Sequence, residues 1–181
     1  MKMELDRPAQ RPSGFSIRPM TTSDIPAVTR IERISFSTVW PSDAFYNELG
    51  TNKVAHYFVG CFDDRVVAYG GVWVILEDSH VTTLAVDPDY RGRRFGEVIL
   101  LRLIDEAIAR GAAWMTLEVR ESNTIAQRLY RKYGFTTVTL RTGYYNDDNE
   151  SALIMWAGSL RGELYRNRLA VLRSRVDQRV P

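Results

Sequence analysis

The stretch YRGRRFGE, Tyr90 to Glu97, joins an extended apolar run to a long helical one and sets Arg91, Arg93 and Arg94 around Gly92, just ahead of Gly96. A loop that feeds directly into a helix exposes backbone N–H groups with no intrahelical partner, and the helix dipole adds positive potential at the same end. Such an end takes anions, and glycine lets the backbone come close to them. A pyrophosphate is a natural occupant. The same pattern also describes a plain strand-to-helix connection. Neither the three-glycine dinucleotide fingerprint nor the glycine-lysine pair of a P-loop is present to decide between the two.

Other residue types narrow the chemistry. A single cysteine, Cys61, excludes an intramolecular disulfide and a cysteine-rich metal site. It lies in an apolar run without a basic neighbour, which suits a core thiol better than an acyl-carrying nucleophile. His56 and His80 are far apart and lack acidic partners at metal-ligand spacing, so no metal is expected. The formal net charge of +2 is too small to argue for nucleic-acid binding by itself. From Gly158 to Pro181 there are six arginines against Glu163 and Asp177, a balance of +4, which leaves −2 for the rest of the chain. A weakly acidic body with a basic tail either suits cationic substrates or carries no functional meaning.

The elements that must position these residues follow from periodicity. FSIRPM reads as a first strand, and Ile25, Val28, Ile31 and Ile34 form an apolar stripe on the helix that follows. After Trp40 and Pro41, Ser42 is expected to cap a short second helix with Phe45 and Leu49 on one face. HYFVGCF and VVAYGGVWVIL flank the turn Asp63-Asp64-Arg65 as a hairpin, and SHVTTLAV is a further strand ended at Asp87-Pro88-Asp89. The longest helix starts inside YRGRRFGE and stops at Gly111. WMTLEV is an interior strand, a helix runs from near Asn123 to Tyr133 with Gly134 as its stop, and FTTVTLRT and SALIMW close the pattern. From Ser159 onward Tyr165, Leu169, Leu172 and Val176 share one helical stripe. That segment is either a basic helix with one face packed on the body or a partner-binding arm, ribosome-facing among the possibilities.

This order predicts an α/β fold with helices on both faces of a mixed sheet. One folded domain over 15–157 is expected in a chain of 181 residues, with a polar, proline-containing arm over 1–14 and a basic helical tail over 158–181. No apolar run approaches the roughly 20 residues needed to span a bilayer, and the start does not read as a signal peptide. A cytoplasmic location is the expectation, with no membrane partner.

Four motifs occur together in order: LAVDPDYRGRRFGE, LEVRESN, AQRLYRKYGF and the GYY before the last strand. The combination, from about Phe15 to Trp156, resembles the GNAT superfamily of acetyl-CoA-dependent N-acetyltransferases, and within it the ribosomal-protein-alanine branch. The resemblance implies a mostly antiparallel sheet splayed between its fourth and fifth strands, with acetyl-CoA wedged there. It carries pyrophosphate binding onto Arg91, Gly92, Arg93, Arg94, Phe95, Gly96 and Glu97, through backbone amides. Arg91 and Gly96 match the family pattern, whereas Arg94 stands where the family places its middle glycine. Arg94 is therefore expected to keep an ordinary negative φ, to donate its N–H to phosphate, and to send its side chain outward or over the phosphates.

The same resemblance implies Glu118 as general base and Tyr130 as general acid, the alternatives being an exposed strand-end carboxylate and a core tyrosine. Leu84, Ala85 and Val86 match the strand that receives the pantetheine arm. Asn123 matches a cofactor contact and also fits a helix N-cap. Phe36 and Trp40 on one side, Tyr144 and Tyr145 on the other, would wall the acceptor, with Asp147, Asp148 and Glu150 either attracting a basic peptide or forming a solvated turn. The implied activity is Nα-acetylation of a protein N-terminus, an alanine of a small-subunit ribosomal protein, by a monomer or weak dimer. The competing readings are acetylation of a small amine or an internal lysine, and a non-enzymatic acyl-CoA-binding module or ribosome-assembly partner.

Overall fold

The structure, a computed structural model, describes residues 14–177. Residues 1–13 of the expected arm and 178–181 of the expected tail lie outside the described residues. Phe15–Pro19 forms β1, Ile25–Ser35 α1, Ser42–Gly50 α2, Ala55–Phe62 β2, Arg65–Ile75 β3 and Asp78–Val86 β4. Phe95–Ala109 forms α3, Trp114–Arg120 β5, Thr124–Lys132 α4, Thr136–Arg141 β6, Ala152–Ala157 β7 and Glu163–Asp177 α5. The seven strands make one sheet in the order β1-β2-β3-β4-β5-β7-β6. Every neighbouring pair is antiparallel except β4 with β5. This is the α/β fold expected.

Helices cover both faces, and each face has its own core. α3 lays Ile99, Leu100, Leu103, Ile104 and Ala107 against β2, β3 and β4, while Phe95 at its start stacks on Phe15 with centroids 4.0 Å apart. On the opposite face Val28 and Ile31 of α1 and Phe45 of α2 enclose Tyr57 and Tyr69. Both faces being buried explains why β2 and β3 read as near-continuous apolar runs rather than alternating ones. Two local expectations change. Pro41, not Ser42, occupies the cap position of α2. Ile34 is 49% exposed, so the buried stripe of α1 ends at Ile31.

The parting of β4 from β5 has a visible cause. Their ladder contains only Asp78 with Trp114, Ser79 with Met115, and His80 with Thr116. Two residues later the β3–β4 register slips: Gly71 pairs with Thr83 but Val72 with Val81, leaving Thr82 as an extra residue. A bulge bends and twists its strand. Here it turns both Thr82 and Thr83 toward the α1–α2 face, where Tyr57 and Tyr69 hydroxyls meet them at 3.1 and 3.2 Å. Beyond the bulge β4 pairs only with β3 and β5 only with β7, which opens a wedge between them.

Candidate active site

The wedge is lined from both strands. Glu118 stands on β5, and its Oε2 lies 3.0 Å from Nε2 of His80, which sits on β4 at the last rung before the parting. The other ring nitrogen of His80, Nδ1, is 2.8 Å from Oγ1 of Thr116. With its imidazole fixed at both ends, His80 orients the carboxylate. Its hydrogen bond holds Glu118 below the usual carboxylate range, against the opposing effect of burial. Glu118 is therefore ionised at neutral pH and ready to accept a proton.

Tyr130 comes from α4. It is 7% exposed, burial pushes its phenol up to about 12, and nearby Tyr145 pushes the same way. Its ring packs in the core beside Phe135, with centroids 5.8 Å apart. Tyr144 and Tyr145 pack edge-to-face at 5.1 Å in the loop between β6 and β7. Burial raises both phenols, and the charge of Glu118 contributes to both shifts, which places the two tyrosines within electrostatic reach of the carboxylate. Across the opening, Trp40 packs on Phe45 at 5.8 Å and Phe36, 37% exposed, ends α1. Beneath them Glu32 is buried, burial raises its carboxyl above the ordinary range, and one of its oxygens receives the Tyr69 hydroxyl.

Arg120 was not singled out from the sequence, although its position two residues after Glu118 puts it on the same face of β5. It binds Asp147 at 2.7 Å, and Asp148 and Glu150 at 2.8 Å, lies 3.9 Å from the centre of the Tyr145 ring, and reaches Ser37 Oγ at 3.0 Å. Ser37 also meets Asp147 directly. One guanidinium thus rivets the β6–β7 loop to the α1–α2 loop. The three carboxylates engage a residue of the same chain rather than standing as a free solvated turn. Hydrogen bonds from Arg120 and Ser37 hold Asp147 down at about 2. His80 has an acidic partner that sequence spacing does not reveal: Glu118, like Thr116, lies on another strand, and only the β4–β5 register brings them together.

On the other side of the wedge the loop has the anion-binding form. Gly92 has φ +79 and Arg94 φ +66, followed at once by the first turn of α3. Arg94 is therefore left-handed, contrary to the ordinary negative φ expected. A left-handed non-glycine residue costs roughly 1–2 kcal/mol, a conformation that glycine would adopt without that strain. Its side chain turns inward rather than outward, with Nη1 3.0 Å from Oε2 of Glu97. Glu97 is buried, and Lys132 and the Tyr133 hydroxyl, the latter at 2.8 Å, bind its other oxygen. Burial works to raise Glu97, but Lys132 and Tyr133 outweigh it and hold the group below its ordinary range. Its side chain is a clamp, and its amide is also engaged, donating to the Arg94 carbonyl at 2.9 Å.

The neighbours are similarly committed. Arg91 donates to the Val86 carbonyl at 3.1 Å and to Ser35 at 3.4 Å. Arg93 lies over the rings of Phe62 and Tyr90 at 5.5 and 5.3 Å. The ring of Phe95 is in the core. A Cβ at Gly96 would come 3.3 Å from Val86 and 3.6 Å from Leu84, so glycine seats the start of α3 tightly on β4. Ala85, buried between them in sequence, leaves the free edge of β4 slim. Asn123 caps α4, its Oδ1 accepting from the Ala126 N–H at 3.1 Å. No group of three or more potential metal-ligating side chains occurs among the described residues, and no described helix is long and apolar enough to cross a membrane.

A sheet parted after a bulge, a left-handed loop leading into a helix, and a carboxylate held by a histidine where the strands part suit an acyl-transferring enzyme. Residues 25–135 match the profile of the acetyltransferase (GNAT) family. A Bacillus subtilis protein provisionally named a ribosomal protein bS18-alanine N-acetyltransferase is 40% identical over 141 residues, 78% of this chain and 93% of its own. The crystal structure of the ribosomal-protein-S18-alanine N-acetyltransferase from Escherichia coli superposes with a TM-score of 0.74 at 33% identity, covering 80% of this chain and 94% of that one. Arabidopsis thaliana NAA60 in complex with acetyl-CoA shares the fold at 17% identity, with a TM-score of 0.72 over 80% of this chain and 98% of that one. The chain belongs to the GNAT family of acetyl-transferring enzymes, in its branch of ribosomal-protein-alanine N-acetyltransferases.

Proposed function

We propose that this enzyme transfers the acetyl group of acetyl-CoA to the α-amino group of a protein N-terminus, the alanine of ribosomal protein bS18, directly within a ternary complex. The observation that carries the reading is the placement of Glu118. His80, on the last rung before β4 and β5 part, holds it there at 3.0 Å. The names of the relatives support the ribosomal acceptor.

The loop fits a pyrophosphate. Gly92 and Arg94 are both left-handed and nothing lies within 4 Å of a Cβ placed at Gly92, so the backbone there is open to a ligand. The amides of 92–96 would hold the phosphates, those of Arg91 and Glu97 being engaged with the Pro88 and Arg94 carbonyls; Asn123 would meet the cofactor at the start of α4, and Leu84, Ala85 and Val86 would offer the unpaired edge of β4 to the pantetheine arm as to an added strand. Bound there, acetyl-CoA supplies a thioester whose leaving thiol resembles cysteine, with a pKa of about 8.5.

The chain's own residues do the rest. An α-amine has a pKa of about 7.7–8.0, so a large fraction is already a nucleophile at working pH. Glu118, an ionised but weak base, needs only to orient the amine and to take its proton directly or through water. Tyr130 stays protonated and donates a hydrogen bond to the leaving sulfur. Full transfer from a phenol near 12 to a thiolate is uphill, so Tyr130 stabilises charge while the proton lost by nitrogen is delivered. Backbone amides along β4 stabilise negative charge on the carbonyl oxygen, and holding the two reactants together supplies much of the rate. Phe36, Trp40, Tyr144 and Tyr145 wall the acceptor, and the rivet between the two loops closes one end of the groove, which favours a chain terminus over an internal lysine.

The test is direct. A bS18 N-terminal peptide incubated with acetyl-CoA should gain one acetyl group at its α-amine, and the same peptide with a blocked terminus and a free lysine should not react. Rapid turnover of a polyamine with none of the peptide would sink this reading.

A further inference from the structure

α5 lies beyond the stretch that matches the family profile, residues 25–135, yet it is not an appendage. Tyr165, Leu169, Leu172 and Val176 are buried in the core on the α3 side, and Arg173 pairs with Asp105 of α3 at 2.6 Å. The helix sits directly on the turn that ends α4. A Cβ at Gly134 would lie 2.7 Å from the Arg168 guanidinium and 3.1 Å from the Tyr165 ring. There the Tyr165 hydroxyl donates to the Tyr133 carbonyl at 2.9 Å.

Tyr133 is thereby held at both ends, because its own hydroxyl donates to Glu97 at 2.8 Å. Glu97 receives Lys132 as well and binds Arg94 through its second oxygen at 3.0 Å. The series runs from α5 through the end of α4 to the start of α3 and into the loop. Its last member has φ +66, a conformation a non-glycine residue keeps only where its surroundings over-determine it. Glycine would need no such support. An arginine there does.

We infer that α5 braces the cofactor loop: Tyr165, acting through Tyr133 and Glu97, holds Arg94 left-handed and so sets the affinity for acetyl-CoA rather than the rate of transfer. Tyr165 is a positioning residue and touches no reacting atom. The inference rests on the reading of residues 91–97 as the phosphate cradle.

The test uses the full chain carrying Tyr165→Phe, which removes one hydroxyl and keeps the ring. Three quantities are measured: hydrogen exchange of the 92–97 amides without ligand, acetyl-CoA affinity by calorimetry, and kcat at saturating acetyl-CoA. The brace predicts faster exchange in the loop, a Kd weaker by about threefold to tenfold, and an unchanged kcat. In an Arg94→Gly background, where the loop needs no support, Tyr165→Phe should no longer speed exchange there. Unchanged loop exchange or unchanged Kd, with only a lower Tm, would overturn the inference and leave α5 a stabilising element alone. If acetyl-CoA fails to slow exchange of these amides in the unsubstituted protein, the cradle reading falls and takes the affinity claim with it, while the ligand-free comparison still reports on the brace.

Discussion

At the scale of single residues, chemistry concentrates in Glu118 and His80. Because His80 keeps Glu118 below the ordinary carboxylate range, the carboxylate is already ionised across the neutral range and does not set the pH dependence there. The acid limb of kcat/KM should instead titrate at about 7.7–8.0, the value of the acceptor's α-amine, and should move when the peptide's amine pKa is changed. Glu118→Gln should lower kcat by roughly a hundredfold, in the range of a lost general base, with acetyl-CoA affinity kept in calorimetry. His80→Ala should give a smaller loss, about tenfold, since orientation is lost but the base remains. At Arg94, alanine and glycine both lose the pair with Glu97, but only glycine accepts φ +66 without strain. Arg94→Ala should therefore be less stable than Arg94→Gly by about 1 kcal/mol in urea unfolding. Equal stabilities would contradict the left-handed geometry. That geometry was within reach of the sequence, since a position the family fills with glycine is a position that asks for positive φ; reading the arginine by its own preference gave the wrong sign.

At the scale of elements, what was local was legible and what was long-range was not. The stripe of α3 and its stop at Gly111, which has φ +93, follow from 3.6-residue periodicity and one residue's backbone freedom. The hairpin at Asp63-Asp64 follows from turn chemistry, with both residues at positive φ. The bulge at Thr82 left no mark in SHVTTLAV, because a bulge exists only relative to the register of a partner strand. The His80–Glu118 contact depends on that register too. Arg120 is an intermediate case: its face was legible, its partners in a loop 27 to 30 residues away were not. Freed of Arg120, the carboxylates of Asp147, Asp148 and Glu150 would repel one another and release Tyr145. Arg120→Ala should raise the peptide KM by about tenfold, equivalent to roughly 1.4 kcal/mol of lost binding, with the acetyl-CoA Kd unchanged. An equal loss of both would place Arg120 in general folding instead.

At the scale of the molecule, the sheet works as two halves joined by three rungs. The half from β1 to β4 carries the 91–97 loop with Phe36 and Trp40; the half from β5 to β7 carries Glu118 with Tyr144 and Tyr145. α5 and the Arg120 rivet tie the two together on opposite faces. Global stability carries its own pH signature at the amino-terminal end. Asp24, bound by Arg18 at 2.6 Å, is held down at about 2 by that hydrogen bond despite burial. Its folded value lies below its unfolded one, so its contribution is complete above about pH 4 and is lost as pH falls toward 2. Arg18→Ala should thus cost about 1–2 kcal/mol at pH 7, a difference from the unsubstituted protein that shrinks below pH 3 in denaturant titrations. The same unfolding free-energy difference at pH 7 and below pH 3 would contradict it.

The measurement that bears most directly on the whole account is mass spectrometry of a bS18 N-terminal peptide after incubation with acetyl-CoA and either the unsubstituted enzyme or Glu118→Gln. The account predicts a single acetyl group on the alanine α-amine, formed rapidly by the unsubstituted enzyme and far more slowly by the variant. Acetylation confined to lysine side chains, or equal rates for the two proteins, would contradict it.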